Sequence, residues 1–370
     1  MALEVHRSHA SCPCFTLTEE RDRPRSSGSH RTVVYAAFKG MGDLLNASPV
    51  ITSLLNRGVA VKLLLFPGKR LEEFVELVDF GKCRENLETL HLPVSGSLRD
   101  LKRFIGKARQ FKTDLIWISP HAPRSAASWK IPLLLWITKV CFWPRAVMGG
   151  ASTERFSFLF GIRVSVDRKL PLAEREAQAF SMAVPEAAAT GLTSAHFIDR
   201  IQKCRIQPLR YDLLIHPGAN ASNRSWPFSH YEALVKLIPA DCRIGVLGLL
   251  PDIELMRRTL PAERPITYIN GSLEDALVAI AASRVVFCMD SGTAHFAQAL
   301  NVPAVALFGK SDPGTIIGRK GIVVPIYERK FTCQPCGKAV CNQPEVYCMN
   351  SIRPESVAKV LCSLLGSTGK

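Results

Sequence analysis

Asp290-Ser291-Gly292-Thr293 follows the unbroken apolar run Val285 to Met289 and precedes the small residues Ala294, Ala297 and Ala299. Such a run reads as a strand buried on both faces, and the small residues as a closely packing helix. These four residues then lie between the strand's carboxyl end and the helix's first turn. Free amides and aligned peptide dipoles attract an anion at such a place. Ser291, Gly292 and Thr293 can offer amides and hydroxyls to a phosphate, while Asp290 can cap the helix or orient the loop. His295, one turn on, reads either as part of that site or as a core histidine. Ser291 lacks the Gly-x-Ser-x-Gly surround of a hydrolase nucleophile.

Three other groups carry chemistry. Ile215-His216-Pro217-Gly218-Ala219-Asn220, then Asn223-Arg224-Ser225-Trp226-Pro227, take a strand into a glycine turn with a cation ahead of a Trp-Pro helix start. Gly218, with Ala219 beside it, lets backbone approach a ligand closely. Arg224 is either a bidentate clamp for a diphosphate or a solvated loop arginine. Gly40-Met41-Gly42-Asp43 has two glycines of a dinucleotide fingerprint, but Leu45 stands where the third belongs. Asp43 there is an N-cap or a general base for a nucleophilic hydroxyl. Cys333-x2-Cys336-x4-Cys341-x6-Cys348 puts four thiols in sixteen residues. That spacing suits a structural zinc site, or reduced or redox-active thiols.

The elements that position these groups alternate between strand and helix. Thr32 to Phe38, Val59 to Phe66, Leu90 to Val94, Asp114 to Ser119 and Ala146 to Met148 read as strands. Between them lie a helix with Leu44, Leu45, Val50 and Leu54, then Glu72 to Val78, Leu98 to Phe111 and the Ile131 region. Residues 167–208 break the pattern with helical text at Glu174 to Ala183 and Ser194 to Cys204, set between prolines. The alternation resumes with strands Asp212 to Ile215, Arg243 to Leu247, Ile266 to Ile269, Val285 to Met289 and Val302 to Phe308. Helices His230 to Leu237, Ile253 to Leu260 and Leu273 to Ala282 separate them, and Pro354 to Leu365 closes the chain. The expectation is an α/β protein with parallel sheets. It divides into a leader (1–31), a first Rossmann-like domain (32–166), a linker (167–208) and a second Rossmann-like domain (209–370) with a Cys-rich segment at 333–348.

Composition narrows the partners. A chain of 370 residues with 47% hydrophobic and 21% charged residues suits two globular domains. No stretch supplies the roughly 20 uncharged apolar residues of a bilayer-spanning helix. Ile131 to Trp143 comes nearest, but Lys139 interrupts it; it reads as a buried helix or, flanked by Lys130 and Arg145, a membrane-surface helix. A net charge of +15 calls for an anionic partner. No basic–aromatic recognition pattern points to nucleic acid, whereas an anionic membrane surface or a phosphorylated glycolipid fits. Residues 1–31 hold no apolar signal region, and the other eight of the twelve cysteines are scattered, so a reducing cytoplasm is expected.

Met289 to His295, with Val302 to Pro313 and its Phe308-Gly309-Lys310-Ser311-Asp312-Pro313, resembles the donor-site signature of family 9 glycosyltransferases, the lipopolysaccharide heptosyltransferases. Gly42-Asp43-Leu44-Leu45 followed by Pro49 resembles that family's first-helix motif, whose aspartate is the base. The His-Pro-Gly turn, a short gap, a basic residue and Trp-Pro match a second motif, with arginine where many relatives have lysine. The four-cysteine cluster is similar to ones near the C-terminus of many members. The resemblance implies a GT-B fold of two doubly wound domains facing across a cleft, with a last helix that often returns to the first domain. It implies inverting transfer, without a required cofactor, of a sugar from a nucleotide-diphosphate sugar such as ADP-heptose to a lipid-linked oligosaccharide. Asp43 would be the base, with Arg224 at the leaving diphosphate. Gly218, Ala219, Asp290, Ser291, Gly292, Thr293 and His295 would hold the donor, and Asp252 or Glu254 its ribose. The protein would work peripherally on the cytoplasmic face of the inner membrane. Two rivals keep the same cleft: a sugar-nucleotide epimerase or hydrolase, and a non-catalytic carbohydrate-binding protein.

Overall fold

The computed structural model describes residues 32–36, 40–65, 70–93, 97–120, 130–152, 157–185, 196–205, 209–219, 222–317, 321–338 and 340–366. The leader expected at residues 1–31 lies outside them. In the first half the order is β1 (Thr32–Ala36), α1 (Met41–Asn56), β2 (Ala60–Leu65), α2 (Leu71–Leu77), β3 (Leu87–His91), α3 (Leu98–Ala108), β4 (Leu115–Ile118), α4 (Lys130–Phe142), β5 (Val147–Ala151) and β6 (Ile162–Val164). After α5 (Leu172–Ala183) and α6 (Asp199–Gln202), the second half runs β7 (Tyr211–His216), α7 (Phe228–Leu237), β8 (Ile244–Leu247), α8 (Leu250–Thr259), β9 (Ile266–Ile269) and α9 (Leu273–Ala281). It continues with β10 (Ser283–Met289), α10 (Gly292–Ala299), β11 (Ala304–Phe308), α11 (Pro313–Ile316), β12 (Val323–Tyr327), α12 (Tyr347–Asn350) and α13 (Pro354–Gly366).

Each half forms a six-stranded parallel sheet, in the orders β3-β2-β1-β4-β5-β6 and β12-β11-β10-β7-β8-β9. Both are doubly wound arrangements, in which the winding direction reverses between two central strands and opens a crevice at their carboxyl ends. Here those pairs are β1/β4 and β7/β10. The α/β expectation with two such domains therefore holds. The central strand β10 has Val285 to Met289 wholly buried, which explains why its sequence is an unbroken apolar run.

Differences from the sequence reading cluster at sheet edges. The strand expected at Leu90 to Val94 begins at Leu87, because in this edge strand Leu87 and Leu90 are buried while Glu88 is exposed. The short edge strands β6 and β12 give no strong apolar signal, and Pro325 in β12 suits an edge position. The helix expected from Ser194 to Cys204 shortens to α6 and a 3₁₀ turn, Lys203–Arg205. Before it, Phe197 bridges to Val78, and the Ile198 amide donates to the Leu77 carbonyl, so this backbone serves the first half as extended chain.

α5 packs against α1, β5 and β6, and α13 stays on the second half against α7, β10 and β11. One apolar cluster runs through both halves, from Val33 of β1 and Ile51, Leu54 and Leu55 of α1 to Leu277 of α9 and Phe296 of α10. At the seam, Phe74 and Phe197 both pack against Phe296, with ring centroids 5.4 and 6.0 Å away. The Leu273 amide that opens α9 donates to the Glu73 carboxylate of α2 at 2.9 Å. Among the described residues no helix is long and apolar enough to cross a membrane.

Candidate functional site

Asp43 is the third residue of α1, which begins just past the carboxyl end of β1. The N-cap is Gly40, extended and without a side-chain cap, so Asp43 is not the capping residue. It is half-buried in the helix's first turn, where the peptide dipoles favour negative charge. Pro49 cannot donate to the Leu45 carbonyl, and the Ser48 hydroxyl takes that acceptor instead at 2.8 Å. The helix thus continues with Leu44, Leu45, Ile51 and Leu54 buried.

The first turn of α1 meets α10 of the second half. A Cβ on Gly42 would lie 2.8 Å from Cδ2 of His295, so only a glycine admits the imidazole ring there. The Asn46 amide donates to the Gly42 carbonyl at 2.8 Å and stands 3.4 Å from His295 Nδ1. With Nδ1 as acceptor, the ring proton lies on Nε2. Burial pulls the His295 pKa down to about 4; Asp290 opposes that shift and Arg224 adds to it. His295 is therefore both a partly buried histidine and a neighbour of the charged groups of the loop that follows β10.

In that loop Asp290 is nearly buried at the end of β10. Its carboxylate accepts from the Ser311 hydroxyl at 2.7 Å and lies 3.5 Å from Arg224 Nε, while Arg224 Nη1 donates to the Asp290 carbonyl at 3.0 Å. Asp290 thus orients the loop rather than capping α10, whose N-cap is Ser291. Arg224, at the end of a 3₁₀ turn, is held by Asp290 while its side chain stays partly exposed. Arg224 Nε and the Ser291 hydroxyl are buried without a hydrogen-bond partner among the described residues. An unpartnered Ser291 hydroxyl and the guanidinium of Arg224 beside the first turn of an eight-residue helix suit an anion.

Thr293 lies with its hydroxyl 3.2 Å from Nδ1 of His216, whose pKa burial lowers to about 4. A Cβ on Gly218 would lie 3.0 Å from the Asp252 carboxylate. Asp252, in the first turn of α8, therefore faces the glycine turn, with Ala219 partly buried alongside, whereas Glu254 is exposed. Asn220 lies outside the described residues. Trp226 is structural: its indole donates to the Ile352 carbonyl at 3.0 Å and its ring packs on Tyr231 and Phe287. His216 and Ser311 join the site through contacts that no sequence motif above singles out. Their signal was position, each standing at or just past the carboxyl end of a central strand.

The Cys-rich segment braces these loops from behind. Gln334 Nε2 donates to the Gly309 carbonyl at 2.8 Å, the Gly337 amide to the Lys310 carbonyl at 3.0 Å, and Asn223 Nδ2 to the Lys338 carbonyl at 3.0 Å. Cys333, Cys336, Cys341 and Cys348 are free thiols. Burial first, and then the other three, push the Cys348 thiol pKa up. Among the described residues no three His, Cys, Asp or Glu side chains are grouped to hold a metal ion. The four thiols are near enough to act on one another's charge.

Two outcomes follow from this geometry. Gly42→Ala should destabilise the protein by about 1–3 kcal/mol by overpacking the seam, while Gly40→Ala, whose Cβ would meet nothing within 4 Å, should change stability far less; urea midpoints compare them. His216 and His295 stay neutral in the folded protein down to about pH 4, whereas unfolded they take up protons below about pH 6.5. Their contribution is thus complete above that pH and lost as pH falls toward 4, with a slope of up to about 1.4 kcal/mol per pH unit for each. His216→Gln should make the fall in urea midpoint between about pH 7 and pH 4.5 shallower than in the parent.

This arrangement has known relatives. The sequence profile of glycosyltransferase family 9 (heptosyltransferase) matches residues 133–346. Lipopolysaccharide heptosyltransferase 2 of Escherichia coli is 36% identical over 106 residues, 26% of this chain and 30% of the relative. Lipopolysaccharide heptosyltransferase 1 of Pseudomonas aeruginosa is 25% identical over 209 residues, 51% of this chain and 56% of the relative. The matches thus span less than two thirds of either relative. The structure of E. coli ADP-heptose lps heptosyltransferase II superposes with a TM-score of 0.64 at 18% identity, covering 92% of this chain and 100% of that one. E. coli heptosyltransferase WaaC with ADP gives 0.61 at 15% identity, covering 90% and 97%. These likenesses show the two-domain fold. With its profile matched over more than half its length, the chain belongs to glycosyltransferase family 9 (heptosyltransferase).

Proposed function

We propose that the chain is an inverting glycosyltransferase of lipopolysaccharide core biosynthesis, moving heptose from ADP-heptose to a lipid-linked oligosaccharide. Family membership and relatives named as heptosyltransferases support the activity, and neighbours named with ADP support the donor. The observation that carries the reading is the seating of α1's first turn, with Asp43, on the donor-side helix through Gly42 and His295. Base and phosphate-binding turn then belong to one crevice.

In this reading the donor diphosphate lies at the first turn of α10, meeting the Ser291 and Thr293 hydroxyls and the guanidinium of Arg224. Asp252 lies beside the Gly218 turn for the ribose. Asp43 accepts the proton of the acceptor hydroxyl as its oxygen attacks the anomeric carbon. The bond from that carbon to the diphosphate breaks on the opposite face, which inverts the configuration. Charge growing on the departing diphosphate meets fixed amides and Arg224, donors already in place before the reaction.

We further infer that the protein works against an anionic membrane surface. α4 presents Trp136, Ile137 and Val140 to solvent, and α3, packed beside it, exposes Leu98 and Leu101 among Arg99, Lys102, Arg103 and Lys107. Apolar side chains among cations suit the boundary of a negatively charged leaflet.

Asp43→Asn should lower kcat by about 10²–10⁴-fold, the usual worth of a positioned base, with ADP-heptose affinity little changed. Transfer within about threefold of the parent would overturn its role. Arg224→Ala should weaken ADP-heptose binding by about 10- to 100-fold, the loss of a charge-assisted hydrogen bond, and slow turnover as well. Isothermal titration and steady-state transfer measure both. Vesicles containing anionic lipid should co-sediment the protein at low salt and release it at high salt, because the attraction is screened. Indifference at every salt concentration would remove the membrane from the proposal.

A further inference from the structure

Glu176 of α5 is fully buried, and nothing in the reaction above uses it. Three donors converge on its carboxylate. The Tyr35 hydroxyl and the Trp117 indole donate to Oε1, the latter at 2.9 Å, and the Ser119 hydroxyl to Oε2 at 2.6 Å. Tyr35 and Trp117 are register partners on β1 and β4, and Ser119 follows the end of β4. Those two strands flank the reversal point of the first sheet, so the carboxylate ties them together beneath the crevice. One turn along α5, Phe180 packs against both rings, with centroids 6.0 and 5.2 Å away.

A buried carboxylate costs several kcal/mol unless its lone pairs are met, and an apolar side chain could fill the same volume without that cost. Three converging donors favour the ionised form. Burial raises the Glu176 pKa above the usual carboxylate value; the hydrogen bonds from Ser119, Tyr35 and Trp117 oppose that shift, and the charge of Asp43 adds to it. Asp43 is therefore within electrostatic reach. Among the described residues, Tyr35 and Arg175 also respond to Glu176. Burial first, then Glu176, raise the Tyr35 pKa, so the phenol stays neutral. Arg175 is engaged with the Arg168 and Leu170 carbonyls.

We propose that Glu176 is a positioning residue for the base: it clamps the ends of β1 and β4 beneath the first turn of α1 and holds a second negative charge behind Asp43. The clamp fixes the floor on which the base stands. The charge strengthens the base's hold on a proton, as like charges do when they share a site. The inference rests on the reading of Asp43 as the base.

Glu176→Gln keeps the volume and removes the charge. With the full chain, ADP-heptose and a lipid-linked oligosaccharide acceptor, kcat should fall about tenfold, the scale of a one-unit change in base strength. The KM for ADP-heptose should stay within about twofold, because the donor side is untouched. The acid-side limb of the kcat/KM profile should move to lower pH, because a base without a negative neighbour gives up its proton more readily. Ser119→Ala, a smaller change that keeps the carboxylate, should lower kcat severalfold at unchanged donor KM, and it serves if Glu176→Gln does not fold. An unmoved pH limb with unchanged kcat in Glu176→Gln, or unchanged kcat in Ser119→Ala, overturns the proposal and leaves Glu176 a fold residue. Asp43→Asn measured in parallel separates the two readings. If it keeps full activity, the base assignment fails; if it is inactive while the Glu176 and Ser119 variants behave as the parent, this inference alone fails.

Discussion

The ring of His295 occupies the space that any side chain at position 42 would need, and the rest of the site depends on that close approach. Because the imidazole is neutral when buried, the contact brings no unpaired charge into the seam. Asn46 then fixes both partners, holding the Gly42 carbonyl and standing beside the ring nitrogen. A helix start bearing a carboxylate and a helix start suited to an anion are thereby brought to one crevice. Their like polarity at the N-terminal ends makes this arrangement useful: each favours negative charge, one in its own side chain and the other in a ligand.

At the end of β10, Asp290 organises what surrounds it. It holds Arg224 through carbonyl and carboxylate and takes the Ser311 hydroxyl, joining loops that follow β7, β10 and β11. The Cys-rich segment then fastens two of those loops from outside through Gly309, Lys310 and Asn223. Groups tied in this way need little rearrangement when charge develops against them, which is the condition for electrostatic stabilisation of a leaving group.

Much of this was legible in the sequence where burial is complete. Val285 to Met289 announced a central strand because both of its faces are covered. The alternation of strands and helices showed the fold class but not the strand order, which depends on contacts between elements remote in sequence. Edge strands β6 and β12, short and only partly buried, carried too little pattern to be read. Asp252 and Glu254 were indistinguishable until the Gly218 turn placed one of them against the backbone. The reason for Gly42 lies in a histidine 249 residues beyond Asn46, a pairing no local rule supplies. Glu176 reads as an ordinary helix carboxylate, since its three donors come from two strands far away in the chain.

Trp117 has a consequence of a different kind. Its indole is fully buried, and its N–H donates to a carboxylate whose charge is under competing influences. An indole's excited state carries a larger dipole than its ground state, so its emission colour depends on the local field. A change of charge on Glu176 would therefore alter the field at the Trp117 indole, and with it the colour of the light that this ring emits.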